Sequence, residues 1–196
     1  MVRSELKFYR IEDLFPFTPN SIRSQNWTRY DFNVRAGTDK WAFEGEVSNN
    51  PPSTANDPSG AIESYSAISA DDGTYETYVT STNGKYAAHR FNFTIDDNEE
   101  DFITKINVTW NGKGWHDSGD AYNGTYLYIW NGTGYEELDN TTSGAKQTLT
   151  GEVTSSISNY INSGNVTVLA EQKSADAGWN AHSHIETDYV KLVVTP

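Results

Sequence analysis

The chain has 196 residues, of which 36% are apolar and 21% charged, with a formal net charge of −13 and a pI near 4.6. That is enough chain for one domain with a full core, and the strong negative charge excludes nucleic acid and anionic lipid as partners. The absence of cysteine excludes a disulfide scaffold, thiolate metal sites and cysteine nucleophiles, and no apolar run approaches the length that inserts in a membrane.

Residues 1–36 differ from the rest. Phe8, Tyr9, Leu14, Phe15 and Phe17 cluster ahead of Pro19, which reads as an N-terminal arm, with an edge strand over Leu6 to Ile11, that wraps the domain or links it to an upstream one. Met1 to Glu5 are polar and lead into no signal-peptide-like run, so an exported protein would carry this chain as one module of a longer whole. From about residue 40 period-two alternation takes over, and residues 37–196 form a single all-β domain. Strands are predicted at Trp41 to Val47, Ile62 to Ser69, Thr74 to Val79, Phe91 to Ile95, Ile106 to Trp110, Thr125 to Trp130, Gln147 to Val153, Val166 to Ala170 and His184 to Val194. Turn signals separate them at Asn83-Gly84, Asn111-Gly112, Asn131-Gly132 and Ser163-Gly164, and Ser155 to Ile161 holds one helical turn. Short strands at this spacing predict an antiparallel two-sheet β-sandwich of jelly-roll type.

Three groups of residues carry chemistry. Glu44 and Glu46 share one face of the first strand, and Asp188 has the parity of Val190, Leu192 and Val194, so it is expected to face the core and to need a cation, an Arg such as Arg90, or backbone donors. Asp71, Asp72, Asp96, Asp97, Glu99, Glu100 and Asp101 form acidic turns without EF-hand spacing. Among the aromatics, Tyr126, Tyr128 and Trp130 line one face of a strand, either packed under the arm or available to stack on sugar rings. Trp115 and Trp179 fall in polar, Gly-containing segments read as loops, where Asn111, Asp117, Asp120 and Asn180 would bond ligand hydroxyls. His116, His182 and His184 would allow a zinc site if loop and strand approached. No nucleophile elbow, metalloprotease helix, phosphate loop or dinucleotide fingerprint occurs, so no enzymatic activity is expected.

Seven Asn-x-Ser/Thr sequons occur, at Asn26, Asn92, Asn107, Asn123, Asn131, Asn140 and Asn165. Eighteen Asn and 39 Ser plus Thr would give roughly half that number by chance. Asn92, Asn107 and Asn165 lie on polar strand faces and Asn123, Asn131 and Asn140 in or beside turns, where glycans would point to solvent. An extracellular or cell-surface location is therefore expected.

Trp41-Ala42-Phe43-Glu44-Gly45-Glu46-Val47, Ile106-Asn107-Val108-Thr109-Trp110-Asn111-Gly112, Tyr128-Ile129-Trp130-Asn131-Gly132 and Thr187-Asp188-Tyr189-Val190-Lys191-Leu192 together resemble a β-jelly-roll module of archaeal secreted and cell-surface proteins, within the galactose-binding-like, carbohydrate-binding-module group. The resemblance runs from Lys40 to Pro196. It implies a non-catalytic module that binds a glycan or cell-surface polymer. It also implies a structural calcium between first and last strands, which would map onto Glu44, Glu46 and Asp188. The alternative is a glycosylated structural subunit of an extracellular filament or surface layer, self-assembled through the N-terminal arm.

Overall fold

A computed structural model describes residues 28–33, 39–63 and 65–196. Eleven strands run through these residues: β1 (Thr28–Asp31), β2 (Lys40–Val47), β3 (Gly60–Ala61), β4 (Glu76–Val79), β5 (Tyr86–Thr94), β6 (Lys105–His116), β7 (Thr125–Trp130), β8 (Tyr135–Thr141), β9 (Gln147–Val153), β10 (Asn165–Gln172) and β11 (Ser183–Thr195). Every pairing is antiparallel. One sheet has the order β1-β11-β6-β9, with β4 beside the other half of β11; the second has the order β3-β2-β5-β10-β7-β8. The two sheets face each other as the expected sandwich.

Alternation explains which side chains fill the space between them. Ala87, Phe91, Phe93 and Ile95 point inward from β5 and the residue after it, Ile106, Val108 and Trp110 from β6, Leu127 and Ile129 from β7, and Val166, Val168 and Ala170 from β10. Each large buried apolar side chain contributes about 1.5–3 kcal/mol. Tyr30 and Phe32 join this core, so the segment before residue 37 supplies an edge strand at Thr28–Asp31, paired with Lys191 to Val194 of β11. The strand expected over Leu6 to Ile11, and most of the arm, lie outside the described residues.

Three expectations change. Ile62 to Ser69 is not a strand: Ile62, Tyr65 and Ile68 recur every third residue, the period of a 3-10 turn, and Tyr65–Ile68 forms that turn with Ile62 and Ile68 buried. Asn111-Gly112 is not a turn either, because β6 continues to His116. Its glycines are needed for close approach, since a Cβ on Gly112 would collide with the Glu186 carbonyl and the Trp110 ring, and one on Gly114 with the Gly124 carbonyl. Finally, the Tyr126 and Tyr128 face, expected to be packed under the arm or open to sugar rings, carries the β2–β3 connection. Asn50 donates to the Gln172 carbonyl at 3.2 Å and accepts from the Tyr128 hydroxyl at 2.7 Å, and a second apolar cluster of Val47, Ala88, Tyr128 and Leu169 lies beneath.

Candidate functional site

One end of the sandwich is built by the end of β6, the 117–124 loop, the 173–182 loop and the start of β11. Three histidines meet here, each with its own acceptor. His116 Nε2 is 3.0 Å from the Ala175 carbonyl while its Nδ1 lies 3.0 Å from the Ser118 N–H, which fixes Nε2 as the protonated nitrogen. His184 Nε2 lies 3.1 Å from Asp117 Oδ1, and His182 Nδ1 lies 2.8 Å from Asp176 Oδ2. Loop and strand do approach, but the zinc site this would allow is not assembled, because each ring is turned to a separate partner.

Asp176 organises this end. Its carboxylate accepts from Thr80 Oγ1 at 2.7 Å, from the Gly178 N–H at 2.7 Å and from His182. Its backbone is bonded to Lys85 and Gly84. Burial pushes the carboxyl pKa up, but these donors outweigh burial and hold it below the ordinary range. Asp117 is lowered in the same way, burial being overcome by the His182 N–H and the His184 ring.

Above Asp176 the chain makes a tight turn. Ala177 N–H donates to the Ala181 carbonyl and Ala181 N–H to the Gly178 carbonyl, and between them Trp179 and Asn180 adopt positive φ of 51° and 63°. Two consecutive non-glycine residues in that region cost on the order of 1–3 kcal/mol each and persist only when the surroundings impose them. The result is that Trp179 stands fully exposed, at 101% relative accessibility for the residue. Tyr122, also exposed, packs beside His116 at the same end.

The other candidate ligand residues divide. Asp117, Asp120 and Asn180 belong to this end. Trp115 does too, but it lies in β6 and is half-buried: its Nε1 donates to Glu186 Oε1 at 2.7 Å and its ring stacks on His184 at 3.5 Å between centroids. Asn111 is buried in β6 and belongs elsewhere.

The carboxylates expected to hold calcium are not brought together. A bulge in β11 between Thr187 and Tyr189 breaks the parity that placed Asp188 toward the core; Thr187 faces inward instead. Asp188, although fully buried, accepts from the Asp72 and Gly73 N–H groups and pairs with Lys146. Glu46 accepts from the Ser81 and Thr82 N–H groups, which lower its pKa against the opposing effect of burial. Glu44 lies with Glu46, Asp57, Pro58 and Tyr78 around a cleft of about 330 Å³. Its Oε2 is buried without a hydrogen-bond partner, 3.8 Å from a His89 Nε2 in the same condition. Burial, with the neighbouring Glu76 carboxyl second, pushes Glu44 up to about 7. Burial lowers His89 to about 3, so its imidazole is neutral.

A family model described as "Uncharacterized protein, C-terminal domain" matches residues 37–196. The chain belongs to this family. A relative from Archaeoglobus fulgidus, itself described as an uncharacterized protein, is 36% identical over 110 residues, which is 55% of this chain and 18% of the relative. The matched segment is thus less than a fifth of that protein's length.

Within this family domain the sequons occupy unequal surroundings. Asn140 is exposed and Asn92, Asn107, Asn131 and Asn165 are half-buried. Asn123 is buried, with Oδ1 accepting from the His116 N–H and Nδ2 donating to Asp120, so it has no room for a glycan in the folded domain. Asn26 lies outside the described residues. Sequence reasoning missed Asp176, Glu76 and His89. For His89 a signal existed, because it shares the parity of Phe91, Phe93 and Ile95. For Asp176 and Glu76 none did.

Proposed function

We propose that this domain is a non-catalytic, extracellular carbohydrate-binding or adhesive module whose recognition surface is the Trp179 end of the sandwich. The observation that carries this reading is the full exposure of Trp179 on a turn held by hydrogen bonds. A large aromatic ring in water has no folding reason to be there, and a pre-formed presentation lowers the ordering cost of binding. Sugar rings offer an apolar C–H face that stacks on an indole, and Asp117, Asp120 and Asn180 supply acceptors and donors for hydroxyls around it. The sequon-bearing outer faces, if glycosylated, leave the loop ends as the places where a partner gains access.

Self-assembly by strand addition has less support. The sheet edge at β8 carries Glu136, Glu137 and Asp139, and charged edge strands oppose pairing with another chain. The test is a glycan array and pull-down on cell-surface polymer, with light scattering in parallel. The expected result is a monomer whose binding is lost in Trp179→Ala. Undiminished binding by that variant, or concentration-dependent oligomers abolished by it, would replace this reading with another.

A further inference from the structure

We propose that His89, Glu44 and Glu76 form a binding site for one divalent transition-metal ion of the Zn2+ class, set between the two sheets at the β2–β4 edge. Three elements bring these side chains together. Glu44 on β2 lies opposite His89 on β5 in the register of one sheet, and Glu76 on β4 lies opposite Thr187 on β11 in the other. Because β2 and β5 point Glu44 and His89 into the space between the sheets, the Glu44 carboxyl meets Glu76 within hydrogen-bonding reach.

Two features mark this as more than a cluster of acids. First, His89 Nε2 and Glu44 Oε2 are both buried, both without a hydrogen-bond partner, and face each other at 3.8 Å. Buried polar atoms in native domains are almost always satisfied, so a pair of facing orphans indicates a missing partner between them. An ion about 2.1 Å from each donor spans separations up to about 4.2 Å, which includes this gap. Second, the ring is oriented from behind: His89 Nδ1 is 2.8 Å from Thr187 Oγ1, which accepts from Trp110 Nε1 at 2.9 Å. A ligating histidine usually donates its other ring N–H to a fixed acceptor, and Thr187 Oγ1 is placed to accept from Nδ1–H when Nε2 holds the ion.

Charge points the same way. Two carboxyl groups in contact repel unless a proton or a cation lies between them, and among the described residues no lysine or arginine pairs with either one. One neutral imidazole with two carboxylates suits Zn2+, Mn2+ or Fe2+ rather than Ca2+, which takes oxygen ligands throughout. Among the described residues no three such side chains already converge on one point. Glu76, half-buried at the sheet edge, completes the set by turning about its own side-chain bonds, and water fills the remaining positions from the open cleft.

The test uses the full chain, stripped with chelator and titrated with Zn2+, Co2+ and Ca2+. One equivalent of Zn2+ at about 100 times its Kd is expected to raise Tm by about 5–10 °C. Co2+ is expected to shift the His89 ring protons strongly by NMR in the unmodified protein, and Glu76→Gln to weaken Zn2+ at least 10-fold with the fold intact by circular dichroism. Three outcomes overturn the proposal. One is the absence of any stoichiometric Zn2+ binding together with a higher Tm in Glu76→Gln, which means the carboxyls share only a proton. Another is Co2+ binding that leaves His89 unshifted. The third is tighter Ca2+ than Zn2+ binding, which means an all-oxygen site.

Discussion

Glu171 and Asp176 are five residues apart, both are acidic, and both are buried, at 0% and 3% exposure. Their surroundings are opposite. Asp176 gathers Thr80, Gly178 and His182 as donors and stays ionised. Glu171 lies in β10 beneath the tyrosine-rich outer face, beside Ala88 and Tyr126 in register. Neither of its oxygens has a partner, and burial pushes it up to about 9. Donors therefore decide whether a buried acid organises its neighbourhood or burdens it. At the loop end the acid fixes a turn that holds two residues at positive φ and lifts Trp179 into water; on the outer face it is a neutral group covered by the β2–β3 connection.

The largest effect expected from this contrast is at Asp176. Asp176→Ala strands three donors and should lower unfolding free energy by about 2–4 kcal/mol in urea melts, and it should also abolish binding by releasing the Trp179 turn. A loss below about 1 kcal/mol would mean that the network does not hold the turn. Glu171→Gln should act in the other direction, stabilising the domain by about 1–3 kcal/mol at pH 7.5. The sign follows from the raised pKa. The folded state prefers the protonated acid, so its contribution is fully present below the unfolded value of 4.5 and is lost as pH rises through about 9. Stability of the parent chain should therefore decline across that window, and Gln should flatten the decline. An unchanged slope would show that Glu171 has a partner in solution.

The architecture was legible because period-two alternation depends only on residue polarity. Thr125–Trp130 and Gln147–Val153 are strands with the boundaries their alternation predicts. The site was less legible because it depends on events that alternation does not encode. The β11 bulge at Thr187 and Tyr189 removed Asp188 from the set it was assigned to and placed Thr187 behind His89. The length of β6 turned Trp115 from a loop residue into a strand residue, since glycine at 112 and 114 signals a turn in sequence and close backbone approach in space. Trp179 was found because its loop is polar on both sides. Asp176, which holds that loop, looked like any other loop acid, and only the return of the chain past Thr80 and His182 gives it partners.

The smallest stability effect is expected where the functional effect is greatest. Trp179 touches almost nothing in its own domain, so Trp179→Ala should change unfolding free energy by less than about 0.5 kcal/mol. Trp115 is the internal control, because its ring stacks on His184 and its Nε1 bonds Glu186. Trp115→Ala should cost about 1–2 kcal/mol through lost packing and a stranded acceptor. Binding should reverse that order: a fully exposed aromatic anchor carries a disproportionate share of interface energy, so Trp179→Ala should lose ligand altogether while a folded Trp115→Ala retains most of it. If both variants bind like the parent, the Trp179 end is not the recognition surface. If Trp115→Ala alone loses binding, the ligand contacts the Trp115–His184 stack, and the exposed indole serves another partner.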